Sequence, residues 1–196
     1  MIPRAITREE LLALPIRRYD GEVSLVTTAA DLERATEEIR AESVVGFDTE
    51  TRPAFKKGES YLPCLIQIAT ARRVHVFHLS RLDCSGATAE LLSSPAIVKT
   101  GIGLKYDLGQ LKRLFPFDAA AVVDLGEVAK RHGLRQSGVR NLAGLFLGFR
   151  VSKGAQTTNW AAPRLSEQQI RYAATDAWAC REIHLRFADL AMLEAR

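Results

Sequence analysis

Apolar and polar positions along the chain fall into short β-branched runs separated by stretches of helical period, an alternation that predicts an α/β fold. The run at residues 43–50, Ser-Val-Val-Gly-Phe-Asp-Thr-Glu, begins like a strand buried on both faces. Further strands are predicted at 65–69 (Leu-Ile-Gln-Ile-Ala), 74–79, 97–100 and 120–123, with a minor one at 23–27. The tight turn Ala71-Arg72-Arg73 makes the first three main strands a meander. Helices are predicted at 7–14, stopped by Pro15, and from Thr28 or Asp31 to about 41, where Leu32, Ala35 and Ile39 share a face. Others follow at 87–92, at 104–115, at 125–131 behind an Asp124 cap, and at 141–149. A last long helix starts at Ser166, with Glu167 and Gln169 close to a capping box, and runs to about 192.

Four acids interrupt this pattern where apolar residues belong. Asp48 and Glu50, two residues apart on a strand, point to one face while Phe47 and Thr49 point to the other. Two carboxylates about 4 Å apart repel by roughly 4 kcal/mol at an effective dielectric near 20, a conflict that a divalent cation removes. Taken alone, an Asp-x-Glu is more often a solvated strand end. In the helix at 104–115 the apolar stripe is Leu104, Leu108, Leu111 and Phe115, and at about 100° per residue Asp107 falls inside it, between Leu111 and Leu114. In the last helix Tyr172 and Asp176 lie one turn apart, near the apolar side set by Ile170, Ala173, Cys180, Ile183 and Phe187. Ala173, Ala174 and Ala177 are small enough to let another element approach. An acid on a buried face is uncommon, although one such helical acid taken singly is more often a buried polar cap. The glycines of Thr100-Gly-Ile-Gly-Leu104 do not complete a dinucleotide fingerprint, because Tyr106 stands where the third glycine is needed; they read as a strand-to-helix turn.

A chain of 196 residues, 47% hydrophobic and 26% charged, is sized for one core and one domain. No apolar run nears the roughly 18 residues that cross a bilayer, and charges break up any signal core at the amino terminus. No membrane partner and a cytoplasmic setting are therefore expected. Three cysteines, Cys64, Cys84 and Cys180, with no close pair and no metal spacing, read as reduced thiols. The net charge is +4. Between residues 126 and 165, seven basic residues (Lys130, Arg131, Arg135, Arg140, Arg150, Lys153 and Arg164) face one acid, Glu127, a local excess larger than the whole chain's. A basic region beside an acidic cluster suits a nucleic acid held by its backbone; a solvated helical face explains the same run equally well.

Jointly the four acids form a recognisable series: Asp48-x-Glu50 on a strand, Asp107 after Gly101-Ile-Gly103, and Tyr172-x-x-x-Asp176 in a late helix. The series resembles the DEDDy branch of the DnaQ-like 3′–5′ exonucleases, most closely the ribonuclease D and Werner-type exonuclease domains. The resemblance covers roughly residues 23–190 and extends to Leu65-Ile-Gln-Ile-Ala, Thr158-Asn-Trp160 and Tyr172-Ala-Ala-Thr-Asp-Ala-Trp178. It implies a ribonuclease H-like, five-stranded mixed sheet flanked by helices. Counting the strand at 43–50 as the first, its order is 3-2-1-4-5 with the second strand antiparallel. Residues 1–22 then form an N-terminal arm and 23–196 a single exonuclease domain. It also implies that Asp48, Glu50 and Asp176 ligate two Mg²⁺ or Mn²⁺ ions, that Asp107 completes the site, and that Tyr172 positions the attacking water. The expected reaction is hydrolysis at the 3′ end of single-stranded or overhanging RNA or DNA, releasing nucleoside 5′-monophosphates.

Weaker candidates for contact with nucleic acid are Thr49 through its backbone, Lys56 and Lys57 in the loop after the acidic strand, Lys153, and Trp160, which either stacks on a base or supports its loop. Relatives of these kinds continue into further domains, which leaves processivity and the choice of sugar open. A catalytically inactive nucleic-acid-binding module on the same fold is the alternative; the intact acids and tyrosine favour the enzyme.

Overall fold

In the computed structural model, which describes residues 4–152 and 154–193, six strands form one mixed sheet. They are β1 (Glu22–Val26), β2 (Val44–Thr51), β3 (Pro63–Ala69), β4 (Arg73–His78), β5 (Val98–Gly101) and β6 (Val122–Asp124). Their order is β1-β4-β3-β2-β5-β6. β2 runs antiparallel to β3 and parallel to β5, β3 antiparallel to β4, and β5 parallel to β6. The expected 3-2-1-4-5 order is therefore present as β4-β3-β2-β5-β6. The sheet is one strand wider than expected, because the minor strand at 23–27 pairs in parallel with β4 and covers what would otherwise be an open edge.

Alternation along the strands builds two layers. Val45, Phe47, Ile66, Ile68 and Phe77 face one side, where α2 (Ala29–Arg40), α3 (Ser85–Ser93) and α4 (Leu104–Leu111) bury Ala35, Ile39, Leu92, Leu104 and Leu111 against them. Leu65, Ala69, Val74 and Val76 face the other, against the α7 alanines Ala173, Ala174 and Ala177. α7 (Glu167–Asp189) also packs on α5 (Leu125–Arg131) and α6 (Val139–Leu147) through Leu125, Leu142, Ile183 and Phe187. α7 starts with the expected capping box of Ser166 and Gln169. α4 is shorter than predicted: the chain tightens after Leu111, with Leu114 and Phe115 both bonded back to its carbonyl.

The N-terminal residues lie along this second layer. Thr7 caps α1 (Arg8–Ala13), and Ile6 and the Gln136 amide exchange two hydrogen bonds of 2.9 Å. Arg150 accepts from Arg17 and donates to Pro15 through backbone groups, and the Tyr19 amide donates to the Thr175 hydroxyl of α7 at 2.9 Å. No helix among the described residues is long and apolar enough to cross a membrane.

Candidate active site

β2 carries the first two acids to the sheet face covered by α7. Val45 and Phe47 are committed to the opposite core, so the strand's period of two sends Gly46, Asp48 and Glu50 toward α7. The helix comes close because nothing projects from Gly46: a Cβ there would overlap the Ala177 carbonyl oxygen and crowd Arg181. Ala173, Ala174 and Ala177 are each fully buried on the sheet. This close seat brings Asp176 over β2. Asp48, Glu50 and Asp176 each present a carboxylate oxygen, and the three oxygens lie within 4.8 Å of one another.

Burial, joined at Asp48 and Glu50 by the neighbouring charges, favours the protonated form of each carboxyl. Burial first, then the charges of Asp176 and Asp107, push the Asp48 carboxyl well above the ordinary carboxylate range. Burial and the neighbouring Asp48, Asp176 and Asp107 push Glu50 up to about 10. Burial raises Asp176 to about 7 against the lowering contact of the Tyr172 phenol. Tyr172, one turn earlier, is raised above the usual phenol range by burial and by the Asp176, Glu50 and Asp48 carboxylates. Asp176 is 8% exposed, and its Oδ1 is buried without a hydrogen-bond partner. Clustered oxygen donors, one of them orphaned, in a field that disfavours their negative charge fit a hard divalent cation.

Asp107 stands beside this group and outside the close triad. It extends from the first turn of α4, and the Thr49 hydroxyl donates to its Oδ1 at 3.0 Å. Burial raises its carboxyl to about 6, opposed by that bond. Thr49, read from the sequence as a backbone contact, therefore also presents a side chain that links the acidic strand to Asp107. Asp124 does more than the predicted capping of α5. Its Oδ1 accepts from the Gly126 amide at 2.9 Å, while its Oδ2 accepts from the Leu104 amide at 3.0 Å, tying the end of β6 to the start of α4. That second bond depends on β5 and β6 being neighbours, which no local signal announces.

Among the weaker candidates, Lys56 and Lys57 are exposed in the loop after β2, and Lys153 lies outside the described residues. Of the two readings of Trp160 the structure shows the supporting one and not base stacking: its ring is fully buried, with centroid 5.9 Å from that of Tyr172 and its indole N–H toward the Gln156 carbonyl at 3.5 Å. It supports Tyr172 from behind. The basic run is partly committed to structure, since Lys130 pairs with Glu127 at 2.7 Å and the Arg150 guanidinium donates to the Leu14 carbonyl at 3.2 Å. The histidines are engaged elsewhere, His75 with Glu38, His78 with Ala162, His132 with Met192 and His184 with Thr100.

Residues 23–190 match a family model described as 3′-5′ exonuclease. The chain is 30% identical over 188 residues to the mouse bifunctional 3′-5′ exonuclease/ATP-dependent helicase WRN, covering 90% of this chain and 13% of that protein. It is 33% identical over 164 residues to a ribonuclease D of Gluconacetobacter diazotrophicus, covering 82% of this chain and 41% of the relative. The chain thus spans less than half the length of these relatives. Among solved structures, the Aedes aegypti Nibbler EXO domain superposes with a TM-score of 0.79 at 23% identity, covering 91% of this chain and 94% of that one. Escherichia coli RNase D superposes at 0.76 with 21% identity, covering 88% and 47%. At these identities the two structures share the fold.

Proposed function

The chain belongs to the 3′–5′ exonuclease family, and from that premise we propose that it is an active, metal-dependent exonuclease removing nucleoside 5′-monophosphates from the 3′ end of single-stranded or overhanging RNA or DNA. The observation that carries this reading is the meeting of Asp48, Glu50 and Asp176, from two separate elements, with carboxylate oxygens within 4.8 Å. Asp48, Glu50 and Asp176 hold two Mg²⁺ or Mn²⁺ ions, and Asp107, fixed by Thr49, completes the set. The chemistry such ions supply is a water acidic enough to attack in line and relief of charge on the leaving oxygen. Tyr172, braced by the buried Trp160, holds the attacking water in position through its phenol oxygen. Lys56, Lys57 and Lys153 contribute positive charge for the phosphate backbone.

The test is incubation of 5′-labelled RNA and DNA oligonucleotides of one sequence with the protein in Mg²⁺ or Mn²⁺. Stepwise shortening from the 3′ end, stopped by EDTA, supports the reading, and the paired substrates report the sugar preference. Binding with no shortening of either strand would replace the enzyme with a binding module.

A further inference from the structure

Gln67 sits in the middle of β3, is fully buried, and has no hydrogen-bond partner at either its amide nitrogen or its amide oxygen. Burying an amide in this way costs more than burying an apolar side chain of the same size, so its presence calls for a partner. The register names one. Gln67 pairs directly with Asp48 on β2 and with Val76 on β4. Directly opposed residues share a face, with Cβ atoms about 4.5–5.5 Å apart, so the amide and the Asp48 carboxylate rise side by side beneath α7. On the same side of the sheet the apolar neighbours are Leu65 and Ala69 along β3, and Ala173, Ala174 and Ala177 from α7. His78, on the diagonal across β4, is already engaged, with Nε2 3.1 Å from the Ala162 carbonyl and Nδ1 3.1 Å from the Ser80 hydroxyl. That leaves the carboxylates as partners: Asp48 directly opposite, with Glu50 on the diagonal beyond it and the unpartnered Asp176 Oδ1 in the same cluster.

We propose that Gln67 is a positioning residue for the acidic site. Its side-chain N–H group donates to the Asp48 carboxylate through one buried water and so sets which oxygen that carboxylate would turn toward bound ions. Groups that hold a metal-binding carboxylate by hydrogen bonds restrict its rotamers and raise affinity for the ion. The inference rests on the metal-dependent reading above.

Gln67→Met keeps the side-chain length and removes both amide groups. The expected result is a variant that still unfolds cooperatively in EDTA, so that ion binding is read on a folded protein. The dissociation constant for Mn²⁺, measured by calorimetry, rises roughly tenfold to a hundredfold. The Mn²⁺ concentration for half-maximal activity rises in step, while KM for the oligonucleotide stays put. A lower melting temperature in EDTA with unchanged Mn²⁺ affinity would overturn the proposal in favour of a packing role. In the unsubstituted protein, Mg²⁺ is expected to shift the ¹⁵N–¹H side-chain resonances of Gln67; resonances that do not move overturn it whether or not the variant folds. If the unsubstituted protein itself binds no Mn²⁺, the metal-dependent reading falls too. Normal binding by that protein with an unaffected Gln67→Met variant removes only the role of Gln67.

Discussion

The backbone carbonyl of Ala177 rests where a side chain on Gly46 would have to be. This one approach sets the height of α7 over β2 and hence the position of Asp176 above Asp48. Gly46→Ala forces the helix outward, and overpacking of this kind costs about 1–3 kcal/mol. The expected outcome is a lower midpoint in urea together with loss of nuclease activity even at temperatures where the variant is folded. A folded variant with full activity would mean that α7 has slack.

Asp48→Ala separates stability from function. It removes one of the mutually repelling carboxylates, so thermal unfolding in EDTA should occur at an unchanged or higher temperature. Activity should fall by at least roughly a hundredfold, measured by release of mononucleotides.

Thr49→Val keeps the shape of the side chain and deletes the donor to Asp107. Losing one such bond costs about 1 kcal/mol, and loss of a group that holds a metal-site carboxylate lowers activity roughly tenfold to a hundredfold. Thr49→Ser, which keeps the hydroxyl, should restore most of the rate.

Tyr172→Phe should leave Mn²⁺ binding intact and lower kcat by roughly a hundredfold, the usual scale for a group that orients or shuttles protons in the transition state. An unchanged kcat would remove Tyr172 from the reaction. Comparison with Asp48→Ala distinguishes a water-positioning phenol from a metal ligand.

The raised carboxyls give stability a distinctive pH dependence. Burial raises the Asp107 and Asp176 carboxyls to about 6 and about 7 in the folded chain, against about 3.9 for an ordinary aspartate. Between those limits the folded state binds more protons than the unfolded state, so stability falls as pH rises, by about 1.4 kcal/mol per pH unit for each such proton. The penalty is absent below the ordinary carboxylate range and complete above the folded values. Mg²⁺ offsets it by favouring the ionised acids. The rise in melting temperature on replacing EDTA with Mg²⁺ should therefore be larger at pH 8 than at pH 5; an equal rise at both would show that the ion acts elsewhere.

Local periodicity made the acids legible. Asp48 and Glu50 share a face because strands repeat every two residues, and Asp107 and Asp176 stand out because they interrupt helical apolar stripes. The order of the strands followed only from the resemblance, since neither β1 pairing with β4 nor β5 with β6 leaves a mark in the residues between them. The same limit hid the second bond of Asp124, the Thr49–Asp107 contact and the pairing of Gln67 with Asp48, all of which join residues distant along the chain. Trp160 was ambiguous because an aromatic residue in a polar loop reads alike whether it turns out to solvent or folds under Tyr172.

Calorimetric titration of Mn²⁺ into the unsubstituted protein, Asp48→Ala and Asp176→Asn tests most directly whether these carboxylates form one metal centre. Two Mn²⁺ ions should bind the unsubstituted protein, and each substitution should abolish one ion or weaken binding at least roughly tenfold. Identical isotherms for all three proteins would contradict the account.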